Sequence, residues 1–233
     1  MRPRRKRRPE TSEEKREARE RYLGGWSPRT QLGKQIVNKE IKDIDQIFDS
    51  NLKILEPEIV DSLLSGLEME LINIGQSKGK FGGGKRRVWR QTQKKTAEGN
   101  VPTFACMVIV GDKNGHIGMG YGRAKETLPA KQKAIRQAKL NLIKIRRGCG
   151  SFECTCGEEH SIPFKVEGKV GSVRVTLMPA PRGTGLVADK ECQKVLKLAG
   201  IKDIYTRSSG QTRTKINMIK AYIEALKRLN EMI

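Results

Sequence analysis

The sequence predicts a two-domain α+β and α/β fold, and two observations support this class. In each half of the chain, strand-like apolar runs come first and an amphipathic helix closes the unit. A stretch rich in glycine and cysteine interrupts the apolar pattern between the two halves. The predicted divisions are a basic tail with an acidic, partly helical extension over 1–66, a first domain over 67–147, a Cys-rich connector over 148–161, and an α/β domain over 162–233.

Residues 1–66 divide into two parts of opposite charge. Residues 1–30 are densely basic and almost without apolar periodicity, which predicts a tail that orders only on its partner. Between residues 36 and 74 acidic side chains outnumber basic ones, and Pro57 opens a short helix. We expect this acidic part to face solvent or a basic protein neighbour.

The first domain is predicted to contain three strands and one helix. A buried strand, TFACMVIVGD, runs into an Asn114–Gly115 turn typical of a tight hairpin, and HIGMGYGRAKE returns from it. Glycines in the returning strand indicate a close backbone contact, either with RNA or with a packed helix. The helix begins near Leu128, and its apolar stripe extends through Leu142 to Ile145.

The second domain is predicted to alternate strands with two helices. IPFKVEG, SVRVTLMP and IKDIYTR have strand patterns. Asp189 can cap a helix that Gly200 ends. The final helix has regular apolar spacing from Ile216 to Leu229.

The charge of the chain indicates its partner. The 233 residues include 47 Lys and Arg but only 26 Asp and Glu, a net charge of +21. Such an excess favours a large polyanion, because each neutralised phosphate releases counterions. No apolar run is long enough to cross a bilayer, and the N-terminus lacks the apolar segment of a secretory signal. Five cysteines, an odd number, favour a reducing compartment.

The segment GKFGGGKRR, residues 79–87, comes close to a nucleotide-binding loop. Arg86 stands where that motif needs a hydroxyl for magnesium, and strand-like residues follow instead of a helix. We therefore interpret this segment as a basic hairpin that contacts RNA phosphates, with a solvated charged loop as the alternative. A nucleotide- or metal-dependent RNA enzyme is a weaker hypothesis, since no acid–base pair accompanies the loop. A stand-alone RNA-binding regulator would share the same contacts.

The connector contains four candidate metal ligands. Cys149, Cys154, Cys156 and His160 have the spacing C-x4-C-x-C-x3-H. A Cys3His set suits one structural zinc ion in closed tetrahedral coordination. Free thiols in a glycine-rich loop, or disulfides, are the alternatives.

Two ordered motifs resemble one known family. VIVGDKNGHIGMGYGRAKE and PAPRGTGL resemble the archaeal and eukaryotic form of ribosomal protein S five of the small subunit, over roughly residues 67–230. The resemblance implies a first domain related to the double-stranded-RNA-binding fold and a second, two-layer α/β domain with a left-handed crossover. It implies a cytoplasmic, non-enzymatic role in the small ribosomal subunit, near the decoding region and the side where mRNA enters. Its neighbours there would be the S three, S four and S eight families, and it would support translational accuracy.

The predicted RNA-binding residues form four groups, and no catalytic residue is predicted. The basic hairpin supplies Lys78, Lys80, Lys85, Arg86, Arg87, Arg90, Lys94 and Lys95. By resemblance, the first motif supplies Lys113, Asn114, His116, Arg123 and Lys125. The helix and the residues after it supply Lys133, Arg136, Arg146 and Arg147. By resemblance, the second motif supplies Arg182 and Thr184.

Overall fold

The structure, a computed structural model, describes residues 25–76 and 86–231. Within these ranges, three short helices precede a sheet with one helix, and a second sheet with two helices follows. The helices are α1 Gln31–Val37, α2 Ile44–Asp49, α3 Pro57–Leu63, α4 Thr127–Leu140, α5 Lys190–Leu198 and α6 Lys215–Glu231. The strands are β1 Glu68–Ile72, β2 Arg90–Thr96, β3 Gly99–Gly111, β4 His116–Ala124, β5 Leu142–Lys144, β6 Val166–Val170, β7 Val173–Pro179, β8 Leu186–Val187 and β9 Ile204–Ser209. The two-domain α+β and α/β architecture is confirmed.

The first sheet is antiparallel and has five strands in the described residues, where three were predicted. Its order is β1-β3-β4-β5, and β2 also pairs with β3. β3 is long enough to hold two strands along one edge: β1 pairs with its second half, from Met107 to Gly111, and β2 with its first half, from Gly99 to Ala105. The end of β1 and the start of β2 therefore lie next to each other at the middle of this edge.

The helix prediction is wrong beyond Leu140. α4 ends there, and Leu142–Lys144 form β5 against β4. Leu142 packs with the N-terminal extension, whereas Ile143 and Ile145 pack against the core that includes the second domain. Alternate residues of a strand face opposite sides, so an extended segment satisfies both contacts.

The predicted Asn-Gly hairpin is wider than a two-residue turn. Four residues, 112–115, connect β3 to β4, and Lys113 and Gly115 both have positive φ. The Asp112 carboxylate accepts hydrogen bonds from the backbone N–H groups of Asn114 at 2.8 Å and His116 at 3.1 Å. These bonds stabilise the wider loop.

The glycines of β4 resolve the two interpretations in favour of a packed helix. A Cβ at Gly118, Gly120 or Gly122 would lie 1.9 to 2.1 Å from a carbonyl oxygen of α4. The facing residues of α4 are alanines, each fully buried and spaced four apart. Alternate strand residues are about 6.8 Å apart and every fourth helical residue about 6 Å, so three contacts stay in register. This face of the sheet is thus covered by protein.

The second sheet has the order β6-β7-β9-β8, and only β8 and β9 are parallel within it. α5 connects that parallel pair, and the left hand of the crossover stays a prediction. The side chain of Asp189 caps α5 through the N–H of Glu191, and Gly200, with a φ of 82°, follows its end. α6 packs on β6, where a Cβ at Gly168 would lie 2.1 Å from the Ala221 carbonyl oxygen.

A shared core joins the two domains. Met107 and Ile109 of β3 belong to the same buried cluster as Leu196 and Leu198 of α5. Polar contacts support the packing: Asn73 donates to the Glu191 carboxylate at 2.7 Å. The extension instead forms a smaller cluster of its own on α4 and β5. None of the helices within the described ranges is long and apolar enough to cross a membrane.

Candidate nucleic-acid interface and metal centre

The first sheet has an open basic end on the face opposite α4. Toward the second domain this face is buried, but Thr103 of β3 lies where the sheet extends beyond that contact. Arg123 donates to the Thr103 hydroxyl at 3.0 Å and to the Thr92 hydroxyl at 3.3 Å. Arg90 and Lys94 share the side of β2 that carries Thr92, because strand side chains alternate. Three exposed cations thus lie together on one flat surface.

The rest of the predicted basic hairpin is described only in part. Lys78, Lys80 and Lys85 lie outside the described residues. The base of the segment is closed by a hydrogen bond from the Gly75 N–H to the Arg87 carbonyl at 2.7 Å. Arg87 and Lys95 are exposed, and Arg86 is half-buried.

Part of the acidic extension binds the chain's own cations, whereas Glu40 and Asp43 are exposed, so the expectation that the extension faces solvent or a basic protein neighbour holds only for some of its residues. Asp61 forms an ion pair with Lys139 of α4 at 2.5 Å, and both side chains are less than one fifth exposed. Asp45 and Asp49 lie 3.3 and 3.5 Å from the amino group of Lys144. The C-terminal half of α4 is therefore partly occupied by the extension. Further members of the predicted set that remain exposed there are Lys133, Arg136 and Arg146.

His116 is turned inward, away from any external partner. Its side chain is 9% exposed, with Nδ1 2.6 Å from Asp112 and Nε2 2.9 Å from Asp45. Phe48 stacks on the ring at a centroid distance of 5.9 Å. Burial acts to lower the pKa of His116, but hydrogen bonds to Asp112 and Asp45 outweigh it and raise that pKa. Both ring nitrogens are occupied, so the predicted RNA contact has no free nitrogen in this arrangement.

Two predicted cations near the turn make internal contacts as well. Lys113 forms an ion pair with Glu68. Arg147 donates to the Lys113 carbonyl at 3.3 Å and lies 3.1 Å from Glu159, with 18% of its side chain exposed. Asn114 and Lys125 are exposed.

The four predicted metal ligands converge. The donor atoms of Cys149, Cys154, Cys156 and His160 all lie within 4.8 Å of one another. The Sγ atoms of Cys154 and Cys156 are 3.1 Å apart, and Cys154 Sγ is 3.7 Å from His160 Nε2. Tetrahedral zinc at normal bond lengths separates two sulfurs by about 3.8 Å and a sulfur and a nitrogen by about 3.6 Å. The sulfur-to-nitrogen distance agrees with this geometry, whereas the two sulfurs would have to move apart to hold the ion. The three thiols form no disulfide, so the chemistry of the donor set fits zinc.

The backbone closes the loop that carries these ligands. Gly148 and Ser161 exchange two hydrogen bonds of 3.0 Å, and the Gly150 N–H donates to the Ile162 carbonyl. Gly150 lies so close to Pro163 that an added Cβ would be 1.9 Å from its carbonyl oxygen. Both ends of the connector therefore meet, and the ligands lie in one hairpin-like loop.

The thiols differ in acidity. Hydrogen bonds from Cys156, first from its backbone, and from the Arg182 backbone lower the pKa of Cys154 to about 6. Burial and then hydrogen bonds with the other two thiols raise the pKa of Cys149 to about 11. Cys154 is thus readier than Cys149 to bind a cation as a thiolate.

Comparison with known proteins decides the family. Residues 88–146 match the family model described as Ribosomal protein S5, N-terminal domain, and residues 168–232 match Ribosomal protein S5, C-terminal domain. A relative from Nanoarchaeum equitans is 51% identical over 207 residues, which cover 89% of each chain. The chain belongs to the ribosomal protein S5 family.

Further S5 relatives are similar over most of their length. A protein from Thermofilum pendens is 48% identical over 205 residues, 88% of this chain and 94% of the relative. One from Aeropyrum pernix is 49% identical over 212 residues, 91% of this chain and 90% of the relative. All three are named small ribosomal subunit protein uS5. The metal ligands fall between the two matched S5 domains, so the family models say nothing of them.

The structure brings the two S5 motifs together. A cleft of about 790 Å³ is lined by Lys113 and Asn114 from the first motif and by Gly185 from the second, with Lys197 and Lys202 beside them. In the second motif Arg182 pairs with Glu158 at 2.9 Å, and the Thr184 hydroxyl donates to the Pro181 carbonyl at 2.8 Å.

One residue of the metal site was missed from sequence. Asp203 is almost fully buried, and its Oδ2 lies 2.9 Å from His160 Nδ1. It follows His160 by 43 residues, in a segment predicted only as a strand. No local pattern indicates this contact, because a carboxylate that bonds to a metal ligand from a distant segment is recognisable only in the three-dimensional structure.

Proposed function

We propose that this protein is a structural constituent of the small ribosomal subunit and binds ribosomal RNA through its exposed basic surface. The observation that carries the proposal is the open sheet end, where the exposed side chains of Arg90, Lys94 and Arg123 lie together. A-form RNA is recognised mainly by shape and phosphate contacts, which suits cations on a flat, exposed surface. Membership of the S5 family and the names of the relatives support the ribosomal role.

Burial and internal pairing separate the predicted RNA-binding residues into exposed residues and residues that are bonded within the chain. The exposed members serve as RNA contacts, and Lys78, Lys80 and Lys85 join them on their sequence alone. His116 and Arg147 are braces for the turn instead, because their polar atoms are already bonded within the chain. The exposed set is Arg87, Arg90, Lys94, Lys95, Lys113, Asn114, Arg123, Lys125, Lys133, Arg136, Arg146 and Arg182.

The finer placement rests on the family resemblance. In this proposal the protein lies in the cytoplasm within the small subunit, close to the decoding region and to the point where mRNA enters. Its neighbours are members of the S three, S four and S eight families. No catalytic role is assigned, and the S5 family is a structural one. The domain limits at residues 67, 148 and 162 belong to the same proposal.

We propose also that the connector binds one structural zinc ion. Cys149, Cys154, Cys156 and His160 supply four ligands and leave no open coordination position, so the ion would stabilise the fold and would not catalyse a reaction. Asp203 supports this assignment because metal-binding histidines usually donate their second ring N–H to a carboxylate.

The RNA assignment is tested by sedimentation and by salt dependence. The protein should co-sediment with small subunits in a sucrose gradient, and recovery only among free proteins would contradict the proposal in favour of a stand-alone regulator. Arg90→Glu combined with Lys94→Glu should weaken binding to ribosomal RNA and flatten its dependence on salt, since each lost phosphate contact reduces the slope by about 1. Lys190→Glu, an exposed cation outside the predicted set, is the matched control.

A further inference from the structure

We infer that the metal centre holds the loop of residues 181–185, PRGTG, in its RNA-facing conformation, with Asp203 as the link between the ion and the loop. The inference rests on the proposed zinc site and assigns it a task. The first step of the linkage is His160: its Nε2 faces the thiols, and its Nδ1 lies 2.9 Å from Asp203 Oδ2. An ion bound to Nε2 leaves the proton on Nδ1, and this N–H donates a hydrogen bond to the carboxylate.

The second step connects Asp203 to the loop. Its other oxygen, Oδ1, accepts hydrogen bonds from the N–H of Gly183 at 3.1 Å and of Gly185 at 2.7 Å. Both glycines have positive φ, 89° and 74°, a conformation that other residues rarely adopt. The loop backbone is thus bound directly to the carboxylate that orients the metal ligand.

A side-chain contact joins the loop to the connector as well. The Arg182 side chain pairs with Glu158, two residues before His160. Two backbone N–H groups of the loop, those of Gly183 and Gly185, are therefore bonded to Asp203, and the Arg182 side chain is bonded to the connector itself.

The consequence concerns RNA binding. Arg182 and Thr184, the contacts predicted for the second motif, stand on a loop whose backbone is bonded to the centre. The two ends of the connector are paired with each other through Gly148 and Ser161. The ion would therefore stabilise a local loop at the surface of the second domain and would not link two distant parts of the protein. Loss of the ion would free the His160 ring to rotate and would weaken the hold on Gly183 and Gly185.

The test measures amide hydrogen exchange by NMR on the full chain, with zinc content determined on the same samples. Removing zinc should speed exchange of the Gly183 and Gly185 amides by roughly tenfold or more, because hydrogen bonds to a charged acceptor are among the stronger ones. The Val175 amide in the middle of the second sheet reports whether the domain stays folded. Glu158→Gln is the matched control: it removes the side-chain pair of Arg182 and should leave both glycine amides protected.

A variant that keeps the metal ligands tests the link from the other side. Asp203→Asn leaves one side-chain oxygen where the carboxylate has two, so it cannot accept hydrogen bonds from the His160 Nδ1–H and from both glycine N–H groups as the carboxylate does. Binding of Co²⁺, used as the probe ion, should therefore weaken about 10- to 100-fold. Absence of zinc from the wild-type protein would overturn the proposed centre itself. If the wild-type protein contains zinc, this inference alone would be overturned by two results together: unchanged exchange of the glycine amides after zinc removal, and unchanged Co²⁺ affinity in Asp203→Asn.

Discussion

The two histidines of this chain are both buried and both bonded to an aspartate, yet their second nitrogens meet different partners. His116 has Asp112 on one nitrogen and Asp45 on the other. His160 has Asp203 on Nδ1 and the Cys154 sulfur near Nε2. A histidine between two carboxylates is stabilised as a cation, whereas one between a carboxylate and thiols is arranged as a metal ligand. The second partner decides the role.

Replacing each histidine by alanine should separate these roles most strongly. His160→Ala removes one of four ligands, so we expect the protein to lose its zinc during dialysis. His116→Ala should retain zinc at the wild-type level, because His116 is no part of the cysteine cluster. Metal analysis of the two purified variants checks this. Equal zinc content in both would contradict the assignment of His160.

Of the same two variants, His116→Ala should have the larger effect on how firmly the extension packs against α4 and β5, which is called its docking below. His116→Ala leaves the partly buried Asp112 without its charged partner and removes the ring that Phe48 stacks on. We expect docking of residues 25–66 to weaken by about 2 kcal/mol, the usual cost of losing hydrogen bonds between charged groups. Limited proteolysis within the extension measures this change. His160→Ala should leave the cleavage rate there unaltered.

Docking of the extension should depend on pH in a direction fixed by His116. Its pKa is raised above 6.5, so its contribution is fully present below that pH and is lost as the pH rises through the raised value. Burial acts to raise the pKa values of Asp45 and Asp112, but hydrogen bonding to His116 outweighs it and lowers them. The contribution of these two carboxylates to docking is therefore lost only as the pH falls below about 4. Protection should thus be highest between about pH 4 and 6.5 and should decline as the pH rises through the raised pKa of His116. His116→Gln should abolish that decline.

The smallest expected effect comes from the surface acids that surround His116. Asp45→Asn removes a charge that contacts both His116 and Lys144 and should weaken docking by about 1 kcal/mol. Asp49→Asn, whose side chain is 71% exposed, should change it by less than about 0.5 kcal/mol. Proteolysis rates of the two variants at pH 6 give the comparison. An equal effect from both would show that general charge, and no specific contact, holds the extension.

Local patterns predicted the parts of the fold that depend on local periodicity. The strands around Asn114, the cap at Asp189 and the final helix all follow from spacing or turn chemistry within a few residues. Glycines at every second position of β4 indicated a close contact, although they could not say whether RNA or a helix makes it. The convergence of Cys149, Cys154, Cys156 and His160 was likewise anticipated from their spacing in one short loop.

What sequence reasoning missed depends on contacts between distant segments. Leu142 continues the helical spacing of α4, yet it lies in a strand because two separate cores compete for its neighbours. The acidic side chains of the extension looked available to another protein, since nothing in their spacing indicates Lys139 or Lys144 as partners. Asp203 reaches His160 only after the second domain has folded.

The contact between β4 and α4 also determines which changes this protein can accept. Three glycines of β4 press against three alanines of α4, so strand and helix meet backbone to backbone, with no side chain from the strand to absorb a substitution. The exposed cations of the same sheet, such as Arg90 and Lys94, carry no such packing restriction, because their side chains extend away from the sheet. Even one methyl group at any of the three glycines would push the helix away from the sheet, so this uncharged seam sets a steric limit on the sequence that the charged surface does not share.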